Sequence, residues 1–340
     1  MADALASPGA HVGAGPLVDS FGRVHRDLRI SVTDRCNFRC TYCMPVEGMS
    51  WLPRRELLTY EEIERLATVF VTELGIESIR LTGGEPTVRS HLPVLVRKLA
   101  RLPVDLSLTT NGATLDHLAH DLAAAGLARI NVSLDSLRPD RFAALTQRDE
   151  LARVLAGIDA AVDAGLDPVK VNCVVMRGVN DDEVVDFARF GRDTGVQVRF
   201  IEFMPLDAQA AWTNAQVATR ADILAAVDGV FPIEPVPERN GEPAERYRYV
   251  DGGGELGVIA SVTEPFCESC DRVRLTAEGQ LRNCLFALDD YDLRGPLRAG
   301  ASDAELVAVI RSAVAAKWAG HQINQVQFIR PRRSMSQIGG

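Results

Sequence analysis

Leu28-Arg29-Ile30-Ser31-Val32-Thr33 runs directly into Asp34-Arg35-Cys36-Asn37-Phe38-Arg39-Cys40-Thr41-Tyr42-Cys43. The first part alternates apolar and polar residues and is rich in β-branched types, the pattern of a strand. The second part is a loop that carries three thiols. The same succession of short strand and chemically unusual loop recurs downstream. Ser78–Thr82 precedes Gly83-Gly84-Glu85-Pro86, Asp105–Thr109 precedes Asn111-Gly112, Arg129–Leu134 precedes Asp135, and Gln197–Phe203 precedes Met204-Pro205. Val169–Val175 is a further strand of the series. Amphipathic helical patterns over Tyr60–Leu74, Leu92–Arg101, His117–Ala125, Leu151–Ala164 and Glu183–Asp193 lie between the strands. Several end at a glycine (Gly75, Gly126, Gly165, Gly195) suited to a left-handed C-terminal cap.

Strand and helix in strict alternation predict an α/β fold with right-handed crossovers and a parallel sheet. The units are too few to close a full TIM barrel. They fit an open, partial β/α TIM-like barrel or a doubly wound sheet, and in both the ligands gather beyond the C-terminal ends of the strands. After Pro205 the alternation stops. A helix near Ala221–Val227, the Pro-rich Pro232–Pro243, a hairpin over Arg246–Val262 with a Gly-Gly-Gly turn, and a helix near Asp303–Trp318 follow. The expected organisation is a flexible tail at 1–20, a core at 21–235 and a C-terminal α+β region at 236–340.

Composition sets the function classes. The 340 residues are 46% hydrophobic and 24% charged, which is globular. A formal net charge of −9 argues against a nucleic-acid partner, because phosphate binding asks for a basic surface. One anionic ligand remains compatible if its own site is basic. No apolar run reaches about 18 residues, so no membrane span is expected. Nothing at the start reads as a secretory signal. The expected location is cytoplasmic, where the 7 cysteines would be thiols rather than disulfides.

Six of the cysteines form two triplets, Cys36/Cys40/Cys43 and Cys267/Cys270/Cys284, and only Cys173 stands apart as an expected buried thiol. Three thiolates without a fourth ligand fit a [4Fe–4S] cluster with one iron open to another ligand. Structural zinc, usually four-coordinate, is the alternative for either triplet. Charged residues sit inside the predicted strands: Arg29, Arg80 and Lys170, with Arg272 and Arg274 on one face of a short segment after the second triplet. A charge in such a run faces either an ion-pair partner or a ligand cavity.

The Cys36-x3-Cys40-x2-Cys43 loop with Tyr42 before the last cysteine, and Gly83-Gly84-Glu85-Pro86, resemble the signatures of radical S-adenosylmethionine (SAM) enzymes. With Arg80–Pro86, Thr109–Gly112, Asn131–Asp135, Arg199–Pro205 and the Gly339-Gly340 end, the chain resembles the molybdenum cofactor biosynthesis protein A family of GTP 3′,8-cyclases from about Phe21 onward. The resemblance implies a lyase with SAM and two [4Fe–4S] clusters, the first on Cys36, Cys40 and Cys43, the second on Cys267, Cys270 and Cys284. It places SAM against Tyr42, Gly84, Glu85, Ser133 and Met204. It places GTP against Arg29, Arg80, Thr109, Lys170, Arg272, Val273 and Arg274, with Arg29, Arg272 and Arg274 also catalytic.

The implied reaction makes (8S)-3′,8-cyclo-7,8-dihydroguanosine 5′-triphosphate through a 5′-deoxyadenosyl radical, as the first step of molybdenum cofactor biosynthesis. It needs a one-electron reductant, and a cyclic pyranopterin monophosphate synthase would take the product. A monomer or a homodimer is compatible with it. The family's Gly-Gly tail reaches the active site, with Arg272 and Arg274 as partners here. A peptide-modifying radical SAM enzyme would carry more C-terminal cysteines. A non-catalytic iron–sulfur carrier or zinc scaffold would leave Gly83–Pro86 and the strand charges unexplained.

Overall fold

The computed structural model describes residues 15–44, 51–207, 211–237, 242–323, 325, 328–331 and 333–339. Fourteen strands occur among them: β1 (Leu17–Val18), β2 (Val24–His25), β3 (Asp27–Ser31), β4 (Ser78–Thr82), β5 (Asp105–Thr110), β6 (Arg129–Ser133), β7 (Val169–Val175), β8 (Gln197–Glu202), β9 (Ile233–Pro235), β10 (Glu245–Tyr249), β11 (Glu255–Ile259), β12 (Arg272–Leu275), β13 (Gln280–Arg282) and β14 (Tyr291–Asp292). The helices are α1 (Tyr60–Thr72), α2 (Leu92–Leu99), α3 (Leu115–Ala124), α4 (Pro139–Thr146), α5 (Leu151–Asp163), α6 (Val184–Thr194), α7 (Arg220–Asp228), α8 (Arg294–Arg298), α9 (Asp303–Ala315) and α10 (Met335–Ile338). β1 and β2 form a small antiparallel pair, and the other 12 strands form one sheet in the order β14-β13-β12-β3-β4-β5-β6-β7-β8-β11-β10-β9.

From β3 to β8 the strands are parallel and adjacent in chain order. A doubly wound sheet reverses its order at a switch point. This one does not, so its crossovers all wind the same way, as in a TIM-like barrel. β14 and β9 are the two ends of the order, so the sheet stays open. The C-terminal chain supplies both flanks: β12 lies parallel to β3 and β11 lies parallel to β8.

Strand alternation explains which face does what. Leu28 and Ile30, Ile79 and Leu81, Leu106 and Leu108, Ile130 and Val132, and Val171 and Cys173 are buried in the main core with α1, α2, α3 and α5. The residues between them are polar: Arg29, Arg80, Ser107, Thr109, Asn131, Lys170, Asn172 and Arg199. The register sets Arg274 beside Arg29 and Arg29 beside Arg80. The inner face is therefore polar and cationic over an apolar outer layer that the helices cover.

The expected elements and their ends agree to within a few residues for β3–β8 and for the helices between them. α4 is not among the expected helices; it opens at Pro139, and proline suits a first helical turn. The expected tail is corrected at its end. Leu17 is fully buried and pairs with His25, so apolar burial orders the chain before Ser20. Residues 1–14 of that tail, and Gly340, lie outside the described residues.

Candidate functional site

One cavity at the C-terminal ends of the barrel strands is lined by both cysteine triplets and by Arg29, Arg80, Arg272 and Arg274. The first triplet is set by backbone zippering. Val32 N–H donates to Thr82 O at 2.8 Å, Gly84 N–H to Thr33 O at 2.8 Å and Glu85 N–H to Arg35 O at 2.7 Å, so the loops after β3 and β4 run on as a pair. Only glycine fits at 84: a Cβ there would lie 2.5 Å from the Asp34 carbonyl oxygen and closer still to that of Arg35. On the cavity side Cys36 Sγ accepts from Phe38 N–H at 3.3 Å and lies 3.9 Å from the Asn111 side-chain amide.

Tyr42, Gly84, Glu85, Ser133 and Met204 all line this cavity. Tyr42 Oη donates to Asp135 Oδ2 at 2.6 Å, and Asp135 Oδ1 accepts from Val174 N–H at 2.9 Å. Burial raises the Asp135 carboxyl to about 6. Both carboxylate oxygens of Glu85 are engaged by the protein itself. One oxygen accepts from Thr87 N–H, Thr87 Oγ1 and Thr110 Oγ1, and the other from Asn111 N–H at 2.6 Å. Glu85 is 1% exposed and ties the loops after β4 and β5 together.

The cationic face is short of carboxylates. Arg29 is buried, its Nε lies 4.0 Å from the Asp27 carboxylate, and among the described residues that nitrogen has no hydrogen-bond partner. Burial, reinforced by Arg80 and Arg274, pushes its pKa well below the ordinary value. Burial and Arg272 bring Arg274 down to about 10. Arg80 Nε donates to Ser107 Oγ at 3.3 Å, and Thr109 lines the same space. Such a concentration of buried guanidinium calls for a polyanion.

Two expected contacts are placed differently. Val273 is fully buried in the core, because strand alternation turns it opposite to Arg272 and Arg274. Lys170 pairs with Glu242 at 3.0 Å rather than lining the cavity. Glu242 also pairs with Arg199 and lies 4.0 Å from Arg129. Burial works against that carboxylate, but Arg199 and Lys170 hold it down at about 2, while burial brings Lys170 down to about 8. Sequence reading singled out neither Glu242 nor Arg199. The signal for Arg199 was its inward parity on β8.

The second triplet lies on the far flank, at the turn before β12 and after β13. Arg272 Nη2 donates to Cys270 Sγ at 3.5 Å, and Lys317 Nζ approaches the same sulfur at 3.6 Å. Burial opposes ionisation there, yet Arg272 and Lys317 bring the Cys270 thiol down to about 6. In the first triplet burial dominates, and it raises Cys36 to about 11 and Cys43 to about 12. All six cysteines are free thiols, and Cys173 is buried apart from them. Among the described residues no group of three His, Cys, Asp or Glu is arranged to hold a single metal ion. A cubane cluster asks for something else: three thiolates, each on its own iron.

Residues 30–191 match the family model of the radical SAM superfamily, and residues 196–323 match that of Molybdenum Cofactor Synthesis C. The chain is 52% identical to a GTP 3′,8-cyclase of Streptomyces coelicolor over 337 residues, covering 98% of this chain and 97% of the relative. It is 50% identical over 343 residues to GTP 3′,8-cyclase 2 of Mycobacterium tuberculosis, covering 99% of this chain and 95% of the relative. Among solved structures, that of Streptococcus suis SuiB bound to precursor peptide SuiA is similar in fold. Its TM-score is 0.61 at 13% identity, over 89% of this chain and 67% of that one. No helix among the described residues is long and apolar enough to cross a membrane. With an open β/α barrel, a Cys36-x3-Cys40-x2-Cys43 loop at its mouth and relatives alike over nearly their whole length, the chain belongs to the radical SAM superfamily and, within it, to the GTP 3′,8-cyclase family.

Proposed function

We propose that this chain is a GTP 3′,8-cyclase that converts GTP to (8S)-3′,8-cyclo-7,8-dihydroguanosine 5′-triphosphate, with SAM on a first [4Fe–4S] cluster and GTP at a second. The observation that carries the reading is a single cavity that both free-thiol triplets enter, with Arg29, Arg80, Arg272 and Arg274 on its wall. A site for SAM alone has no use for four inward guanidiniums, whereas GTP carries about four negative charges to meet them.

In this reading Cys36, Cys40 and Cys43 hold the first cluster within the radical SAM core at 21–235. Cys267, Cys270 and Cys284 hold the second in the C-terminal region at 236–340. The first cluster with SAM supplies, once reduced, the radical that removes the 3′ hydrogen of GTP. The chain's own residues do the rest. Tyr42, fixed by Asp135, with the Gly84 backbone, Ser133 and Met204, positions SAM. Arg29, Arg80, Thr109, Arg272 and Arg274 receive the nucleotide. A one-electron reductant is required, and the product passes to a synthase of the next step.

The test is anaerobic turnover of the reconstituted chain, following 5′-deoxyadenosine and GTP together. GTP-dependent formation of the cyclised triphosphate is expected. Cleavage of SAM with GTP recovered unchanged would sink the reading.

A further inference from the structure

Behind the second triplet lies a buried polar chain that the reaction above does not use. Lys317 is 4% exposed. Its ammonium donates to Arg272 O at 2.9 Å and lies 3.4 Å from His25 Nδ1, 3.5 Å from Cys270 O and 3.6 Å from Cys270 Sγ. His25 is fully buried, and its Nε2 is 3.1 Å from Asp19 Oδ2. Asp19 also binds Arg23 Nε at 2.6 Å, and Arg23 donates to Cys267 O and Ala319 O, each at 2.7 Å. Asp19 and His25 thus tie the β1–β2 pair to the second triplet.

No carboxylate pairs with Lys317 among the described residues. A buried ammonium needs a counter-charge, and neutral carbonyls do not supply one. The Cys270 sulfur, 3.6 Å away, supplies one when it is a thiolate. The first triplet is built differently. Its sulfurs take bonds from neutral donors, Phe38 N–H and the Asn111 amide at Cys36 and the Ser336 N–H at Cys43, and the carboxyls of Glu85 and Asp135 stand nearby.

We propose that Lys317, oriented by the Asp19–His25 pair, is a positioning residue for the second cluster that raises its reduction potential through a charge-assisted N–H···S bond to Cys270. Hydrogen bonds and positive charge at a ligand sulfur stabilise the reduced, more negative cluster. This rests on the reading that Cys267, Cys270 and Cys284 hold a [4Fe–4S] cluster. The two sites then differ in what donates to sulfur: Arg272 and Lys317 donate to Cys270, whereas among the described residues no cation donates to a sulfur of the first triplet, although Arg39 stands near Cys36.

The experiment is an EPR-monitored redox titration of the full chain, reconstituted without air, as wild type, Lys317→Met, Lys317→Arg and His25→Gln. In Lys317→Met the second midpoint should fall by on the order of 60 mV, the equivalent of a tenfold change for a one-electron couple. The first midpoint should stay in place, and Lys317→Arg should recover most of the fall. A second cluster that is present with an unmoved midpoint overturns the proposal. If Lys317→Met loses that cluster, His25→Gln carries the test: a smaller fall supports it and none overturns it. Failure of the underlying reading is visible in the wild type, as one cluster only or as zinc, and it removes the proposal with it.

Discussion

The guanidinium of Arg274 donates to the main-chain carbonyl of Gly339. Position 339 closes α10 in the left-handed region at φ 78°, and a Cβ there would lie 2.6 Å from Ser31 Oγ and 2.9 Å from Thr82 Cγ2. Gly339 thus packs against the inner face at β3 and β4, and Met335 and Ser336 of α10 line the cavity. Gly339→Ala should therefore disturb the substrate side more than the first cluster. Both clusters and 5′-deoxyadenosine formation should persist while cyclisation falls, and removal of Gly339 and Gly340 should do the same more severely. Cyclised product at the wild-type rate would reduce this contact to an ordinary chain-end packing.

Arg29→Ala or Arg80→Ala should weaken GTP binding by about 1.5–3 kcal/mol, the scale of a lost charge-assisted bond. SAM binding should change much less. Guanosine lacks the triphosphate and should bind the variants almost as it binds the wild type. Equal losses for GTP and guanosine, measured by calorimetry, would make these arginines structural.

Glu242 occupies the cations that a triphosphate would want, Lys170 and Arg199. Glu242→Gln should leave those charges uncompensated and lower the stability of the ligand-free chain. GTP should then raise the melting temperature of the variant more than that of the wild type. The carboxyl is held at about 2, against its usual 4.5. Its stabilising contribution is complete above 4.5 and is lost as the pH falls toward 2. The stability gap between wild type and variant should narrow over that window. Equal thermal shifts with GTP would mean that the phosphates bind elsewhere.

Much of this was legible in local pattern. The β3–β8 series showed in the alternation of β-branched runs with amphipathic helices, and Arg29 and Arg80 stood out as charges inside strands. Pairings distant in sequence were not legible. Nothing in Arg272–Leu275 says that it lies against β3, yet that pairing brings the second triplet to the wall of the cavity that the first also lines and sets Arg274 beside Arg29. The ion-pair partner of Lys170 was not legible either, because Glu242 lies 72 residues away in sequence. Asp19 gave no signal because it sits in a segment rich in Ala, Gly and Pro without periodicity, although Leu17 buries fully there.

Gly84→Ala should separate the two proposed cluster sites. The added methyl would press on the main-chain carbonyls of Asp34 and Arg35, which cannot swing aside as a side-chain end can. Overpacking of this kind costs about 1–3 kcal/mol. Here the strain falls on the bonds that join the β4 loop to the start of the cysteine loop, Gly84 N–H to Thr33 O and Glu85 N–H to Arg35 O. Cys36 follows Arg35 directly, so the first cluster and the SAM site should suffer together. We expect a fall of tenfold or more, roughly 1.4 kcal/mol in barrier, in 5′-deoxyadenosine formation. Iron should drop from about eight per chain toward about four, with the second cluster's signal retained. Replacing Cys267, Cys270 and Cys284 together should give the reverse: the same iron loss with some SAM cleavage surviving. If Gly84→Ala keeps full iron and full SAM cleavage, the zippered loops are not what positions the first site.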